Sequence, residues 1–219
     1  MQCKVDLNKL TTKDLECGSC SICQARSKLD YPFVRDLKTS KDLVNAIKVY
    51  IEKNTSFKCN ETTIQKNPDL FVIDIEHDDK LICRVEAKFL EGFAFMKAEK
   101  LLGDHLKPKE TLVVDEPKLL SYFECKTNDL RQQGRDIPIY VVWKFDRPCK
   151  DLGGISIFQE VSILKSIYDA RGNKRSFERK SVPTDFVAGS KQGITAKYHF
   201  SITECRPIEE LIPTIKGLA

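Results

Sequence analysis

No stretch of about eighteen apolar residues free of charge occurs in this 219-residue chain, so no segment has the length and composition of a membrane-spanning helix. There is no internal repeat and no low-complexity tract, which sets aside solenoids and biased linkers. A glycine-rich phosphate loop and a dinucleotide fingerprint are both missing, as is any Ser, His and Asp grouping for acyl transfer. Histidine is scarce: His77, His105 and His199 are the three present, and their positions give no metal-ligand spacing. Charge of one sign is also lacking. The net charge of +4 permits a polyanionic partner without demanding one. The opening stretch, MQCKVDLNKLTTKDLECG, is too charged for a secretion signal, so a cytoplasmic protein is expected.

What is present suits a globular chain: 41% hydrophobic and 31% charged residues, enough for one large domain or a core with a small appendage. Cysteine is plentiful, with nine in all. Without a secretion signal, metal binding or plain burial explains them better than disulfides. Four lie in the first 23 residues, as Cys3, Cys17, Cys20 and Cys23. Cys59, Cys83, Cys125, Cys149 and Cys205 are scattered singly.

Periodicity divides the chain near residue 38. Residues 1–38 lack a sustained pattern and read as a Cys-rich, metal-stapled segment; residues 39–219 read as the main domain. TSKDLVNAIKVYIEKN is expected to be a helix capped by Thr39 or Ser40, with Leu43, Ile47, Tyr50 and Ile51 on its buried face. SFKCNETTIQK, DLFVIDI and KLICRVEAKF have strand composition, and the short EHDDK between the last two suits a hairpin. Residues 90–106 are expected to be helical. EPKLLSYFECKTNDLRQQG is a further helix, with Leu119, Leu120, Phe123 and Leu130 on one side and Gly134 ending it. IPIYVVW reads as a strand covered on both faces. GISIF, QEVSILKSIYDA, AKYHFSIT and PIEELIPTIK follow as strand, helix, strand and short helix. The result is an α/β protein, a mixed sheet flanked by helices.

One hairpin carries the chemistry. NPDLFVIDIEHDDKLICRVEAKF places Asp69 at the start of one strand, with Glu86 and Lys88 near the end of its partner. Alternate residues of a strand share a face, so Glu86 and Lys88 point the same way, and antiparallel pairing brings Asp69 beside Glu86. Asp74 falls on the opposite face. Two adjacent carboxylates repel unless a cation lies between them. Magnesium, which takes oxygen ligands and keeps several waters, is the natural occupant, with manganese as substitute. A metal there polarises a phosphate and acidifies a water, and Lys88 can hold that water or offset phosphoryl charge.

Pro68-Asp69 and Glu86-Ala87-Lys88, with the helix, three strands, helix and strand from about residue 40 to 145, resemble the PD-(D/E)XK nuclease superfamily. The resemblance implies a restriction-endonuclease-like αβββαβ core. It further implies magnesium held by Asp69, Glu86 and the Ala87 carbonyl, and Lys88 assisting the nucleophile. An acid on the first helix often joins such a site; Glu52 is the candidate, with Glu61 competing. A second Glu-x-Lys triplet, Glu124-Cys125-Lys126, lies within a helical pattern and reads as a solvated helix face.

Cys17, Cys20 and Cys23 form a C-x-x-C-x-x-C run, which suits thiolate ligation of zinc or of an iron–sulfur cluster. Cys3 is the nearest fourth ligand; Cys149 and Cys205 are remote ones. The proline that follows the last cysteine in ferredoxin-type loops is absent. Cys59, Cys83 and Cys125 read as core. ARGNKRSFERK, carrying Arg171, Lys174, Arg175, Phe177, Arg179 and Lys180, is expected to be a basic loop able to track a phosphate backbone, with Lys191 and Lys197 extending its charge.

These readings converge on a magnesium-dependent DNA endonuclease, in restriction or defence or else in repair or phage recombination. Symmetric cutting of both strands would favour a homodimer. A non-catalytic nucleic-acid-binding protein that uses the Cys-ligated metal is the alternative.

Overall fold

The computed structural model describes residues 1–3, 5–17, 33–64, 66–91, 95–146 and 152–219. Its centre is a six-stranded sheet in the order β1-β2-β3-β5-β6-β11. The strands are β1 (Lys58–Glu61), β2 (Leu70–Asp74), β3 (Lys80–Glu91), β5 (Ile139–Asp146), β6 (Ser156–Glu160) and β11 (Arg206–Pro207). Only β3 and β5 pair in parallel; every other ladder of this sheet is antiparallel. A second, three-stranded sheet joins β4 (Thr111–Asp115), β10 (Ala196–Ser201) and β7 (Ser176–Glu178), and a small hairpin pairs β8 (Phe186–Val187) with β9 (Ser190–Lys191). The helices are α1 (Thr12–Leu15), α2 (Phe33–Asn54), α3 (Ala98–Leu101), α4 (Glu116–Gln133), α5 (Val161–Arg171) and α6 (Leu211–Lys216). No helix among the described residues is long and apolar enough to cross a membrane.

The expected αβββαβ core is α2, β1, β2, β3, α4 and β5, with α3 and β4 inserted before α4. Its two apolar layers follow from strand alternation. Along β5, Ile139, Val141, Trp143 and Phe145 enter a core with α4, α5 and the second sheet. Tyr140 and Val142 enter another with α2 and α6. IPIYVVW is therefore covered on both faces, as an uninterrupted apolar run requires. Leu43, Ile47 and Ile51 of α2 are buried at helical spacing. The N-terminal segment adds Leu7 and Leu15 to the first core. The two sheets are tied where Trp143 Nε1 donates to the Val113 carbonyl at 3.1 Å.

The β2–β3 turn is built by Asp78 and Asp79, both at φ 53°. Consecutive left-handed residues let a tight turn follow the strand twist, and Asp accepts that conformation better than most residues. Asp74 closes the hairpin end, accepting from the Glu76 amide at 3.0 Å and pairing with His77 Nδ1 at 2.8 Å.

Three elements differ from expectation. Helix α2 begins at Phe33, so Thr39 and Ser40 lie inside it rather than at its cap. Residues 90–106 are not one helix: β3 continues to Glu91, and among the described residues of this range only Ala98–Leu101 is α-helical. Ala98, Leu102 and Leu106 supply a helical spacing. However, Gly103 donates its amide to Lys174 at 2.7 Å, and His105 takes φ 51°, which ends any helix. On α4, the buried positions are Leu119, Tyr122, Cys125 and Asp129, whereas Leu120 and Leu130 are 46% and 52% exposed. That face is chosen by polar partners on β3, which hydrophobicity alone does not register.

Candidate active site

Arg84, Glu86 and Lys88 alternate along β3 and face α4. The helix answers with Asp129, Tyr122 and Lys118, followed by Asp115 at its N-cap, so a stripe at spacings of three and four meets a row at spacing two. Arg84 makes a two-pronged ion pair with Asp129, at 2.7 and 2.8 Å. Glu86 Oε1 lies 2.8 Å from Lys88 Nζ and 3.8 Å from Lys118 Nζ. Lys88 Nζ is also 3.6 Å from Asp115 Oδ2, and Lys197 of β10 pairs with Asp115 Oδ1.

Asp69 approaches from the neighbouring strand. The β2–β3 register pairs Leu70 with Val85, which sets Asp69 beside Glu86. The Ala87 amide donates to Asp69 Oδ2 at 2.8 Å. Glu86 is only 1% exposed. Its Oε2 and the Tyr122 hydroxyl are both buried and outside good hydrogen-bond geometry with any described residue, and the Tyr122 hydroxyl is the near neighbour that interacts with this carboxylate.

The site is electrostatically tense. Burial and then the Glu86 charge push Asp69 up to about 6. Burial also works against a charged Glu86, but Lys88 and Lys118 outweigh it and hold that carboxyl below the ordinary range. For Lys88, burial opposes the ammonium, yet Glu86 and Asp115 keep its pKa raised. Asp115 stays lowered because Lys197 and Lys88 overcome its burial. The dominant form is a charged pair, Glu86 and Lys88, with Asp69 titrating beside them.

The donor chemistry fits a hard cation. A buried carboxylate oxygen outside good hydrogen-bond geometry is costly, and magnesium commonly takes one or two carboxylates and fills its remaining positions with water and substrate. Asp69 and Glu86, with a backbone carbonyl, form such a set. No group of three or more His, Cys, Asp or Glu side chains placed to bind a metal occurs among the described residues.

These groups lie at the bottom of a cleft of about 910 Å³. One wall is the start of α2, including Phe33, Asp36 and Ser40; the opposite wall runs through Phe177, Arg179, Asp185 and Lys197. Asp185 organises the latter wall. Arg179 grips its carboxylate at 2.6 and 2.5 Å, the Val182 amide donates to it at 2.9 Å, and the Gln192 and Gly193 amides donate to its carbonyl.

The structure brings Asp69, Glu86, Ala87 and Lys88 together. It does not bring Glu52, whose Oε1 accepts from the Cys59 amide at 3.0 Å, away from the residues lining the cleft. Glu61 is also outside that lining; the acid that α2 presents to the cleft is Asp36. Asp115, Lys118 and Tyr122 escaped sequence reading. The one trace of them there is the spacing from Lys118 through Tyr122 and Cys125 to Asp129.

The basic loop is corrected most. Residues 172–175 form a 3₁₀ turn and 176–178 the strand β7. Arg175 is 4% exposed and is bound to Asp104 and Glu204, both at 2.7 Å. A guanidinium so desolvated and paired serves the fold rather than a phosphate. Arg171 lies 3.4 Å from Asp104, and Arg179 holds Asp185. Lys174 and Lys180 are exposed, and Phe177 is partly buried in the cleft wall. Lys126 of the second Glu-x-Lys triplet pairs with Asp136 and Glu160 on the flank of α4.

Cys20, Cys23 and Cys149 lie outside the described residues. The Cys3 thiol donates to the Val5 carbonyl at 3.2 Å, and burial raises its pKa. Cys205 is buried with its thiol raised for the same reason. Cys59, Cys83 and Cys125 are core.

No family model matches the chain, and no curated protein matches it. Solved structures do. Hjc, a Holliday junction resolvase from the archaeal hyperthermophile Archaeoglobus fulgidus, is similar with a TM-score of 0.41 and 10% identity, covering 80% of this chain and 96% of that one. A nuclease from a fusselovirus is similar with a TM-score of 0.45 and 11% identity, covering 84% of this chain and 92% of its own. At these scores the weight rests on the chain itself: its αβββαβ order and its acid, acid and lysine arrangement are similar to those of PD-(D/E)XK nucleases.

Proposed function

We propose that this chain is a divalent-metal-dependent nuclease that hydrolyses DNA phosphodiesters. The observation that carries the reading is the meeting of Asp69, Glu86 and Lys88 in one cleft, where two carboxylates and an ammonium lie side by side. Asp69, Glu86 and the Ala87 carbonyl are the oxygens that would hold magnesium or manganese. When bound, such an ion supplies charge neutralisation at the scissile phosphate and a more acidic water.

The chain's own groups do the rest. Lys88, fixed between Glu86 and Asp115, holds an ammonium where negative charge develops on the phosphoryl oxygens. Lys118 and Lys197, both lining the cleft, add positive charge that orients the phosphate. Without a cation, burial and the Glu86 charge raise the Asp69 pKa to about 6, so below that pH a divalent ion has to displace a proton to bind.

The rest of the reading follows this assignment. The biological setting is restriction or defence, with repair and phage recombination as rivals, and simultaneous cutting of two strands takes two copies of the chain. Cys17, Cys20 and Cys23, with Cys3 as the nearest fourth ligand, are assigned to a separate structural site for zinc or an iron–sulfur cluster.

The test is cleavage of supercoiled plasmid and of circular single-stranded DNA, with magnesium, with manganese and with chelator. Cleavage is expected only with a divalent ion, and Lys88→Ala is expected to slow it by about a hundredfold or more. DNA left intact under every ion sinks the proposal, as does a folded Lys88→Ala protein that cuts like the parent.

A further inference from the structure

We propose that the cleft takes an unpaired strand of nucleic acid rather than a duplex. This rests on the nuclease reading of the cleft floor and supplies its substrate class. Three observations carry it: the depth of the floor, the closeness of the walls and the aromatic surface beside the carboxylates.

Depth comes first. Glu86, at 1% exposure, lies below walls formed by the start of α2 and by the segment from Phe177 to Lys197. The β8 strand, which directly follows Asp185 of the lining, comes within 8 Å of α2, Cα to Cα, so the segments that carry the two walls are drawn together at that edge of the cleft. Where α2 and β8 converge, the way to the floor is narrower than a B-form duplex, whose major groove alone is about 12 Å wide. A single strand can follow it and lower one phosphate to the floor.

The aromatic surface gives the bases a place to go. Phe95 packs against Phe177 and against His199, each with ring centroids 5.2 Å apart. All three rings line the cleft, and both phenylalanines remain partly exposed. His199, 2% exposed, backs Phe95 from the core, so the ring surface open to a base is that of the two phenylalanines. Lys197 lies on the strand that carries His199, and Lys118 Nζ is 3.8 Å from Glu86 Oε1. Rings beside cations are the two elements that hold single strands without reading sequence: bases stack and phosphates pair.

The experiment is fluorescence anisotropy with the intact chain, in chelator so that cleavage does not intervene. The probes are a short labelled single strand, the blunt duplex made from it, and a forked duplex with unpaired tails. The strand and the fork are expected to bind at least about tenfold more tightly than the blunt duplex. Phe177→Leu, which keeps the apolar packing but removes the ring face, is expected to weaken strand binding about fivefold or more at an unchanged melting temperature. Equal or tighter binding of the blunt duplex overturns the proposal, and so does full strand affinity in Phe177→Leu. The nuclease reading is decided separately by cleavage in magnesium. Faster cutting of duplex than of strand refutes this substrate alone, whereas strand binding without any cleavage refutes the nuclease alone.

Discussion

The Ala87 amide donates to Asp69 Oδ2 at 2.8 Å, and that one bond fixes the first carboxylate of the site to the strand that carries the second. An acceptor suffices for it, so an amide oxygen can take the carboxylate's place. The buried negative charge is another matter, because burial and Glu86 raise the Asp69 pKa from 3.8 to about 6.

Asp69→Asn is therefore expected to stabilise the protein while abolishing cleavage. For a carboxyl raised on folding, the stabilising contribution is complete below about pH 3.8 and is lost as pH rises through about 6. At pH 8 the ionised side chain is a liability of up to about 3 kcal/mol, nearer 1 kcal/mol after allowance for its partial exposure. Urea unfolding at pH 5 and pH 8 checks it: the variant's advantage should appear mainly at the higher pH. A variant less stable than the parent at pH 8 would refute the account.

His199 titrates with the opposite dependence. Burial lowers its pKa from 6.5 to about 4, so the folded state resists protonation. Stability should fall as pH drops from about 6.5 to 4, by up to about 3 kcal/mol. His199→Gln is expected to flatten this part of the stability profile relative to the parent. Parallel profiles for the two proteins would count against it.

Arg84 and Asp129 offer a cycle. Removing either partner, as Arg84→Met or Asp129→Leu, leaves a buried charge and should cost about 3–5 kcal/mol. Making both changes should recover most of that loss, since apolar side chains of similar volume can replace a buried pair. Additive losses in denaturant unfolding would show that the pair is not coupled as its geometry indicates.

Gly193 tests the cleft wall. A Cβ there would lie 2.8 Å from Asp185 Cβ and Cγ, and Asp185 cannot retreat because Arg179 and the Val182 amide hold it. Gly193→Ala should cost about 1–3 kcal/mol and should weaken nucleic-acid binding through the displaced wall. Unaltered melting and binding would show that the wall yields more easily than its hydrogen bonds suggest.

The legible parts of the site were those within one hairpin. Alternation put Glu86 and Lys88 on one face, and a short turn put Asp69 opposite them; both follow from the period of two. Glu52 was misplaced because helix α2 starts at Phe33, so the turns facing the cleft are earlier ones that include Asp36. Arg175 was read as a phosphate contact because its partners, Asp104 and Glu204, lie 71 and 29 residues away.

By itself, the order of residues determined the αβββαβ succession, the doubly covered β5 strand and the convergence of the hairpin's two acids with its lysine, because each depends on local periodicity and short turns. Only the tertiary structure decided that α4 turns Tyr122 and Asp129 inward, that Asp115 and Lys197 brace Lys88, and that Phe95, Phe177 and His199 meet on one wall. Those choices join strands and helices distant along the chain, where burial and charge pairing outweigh any local preference.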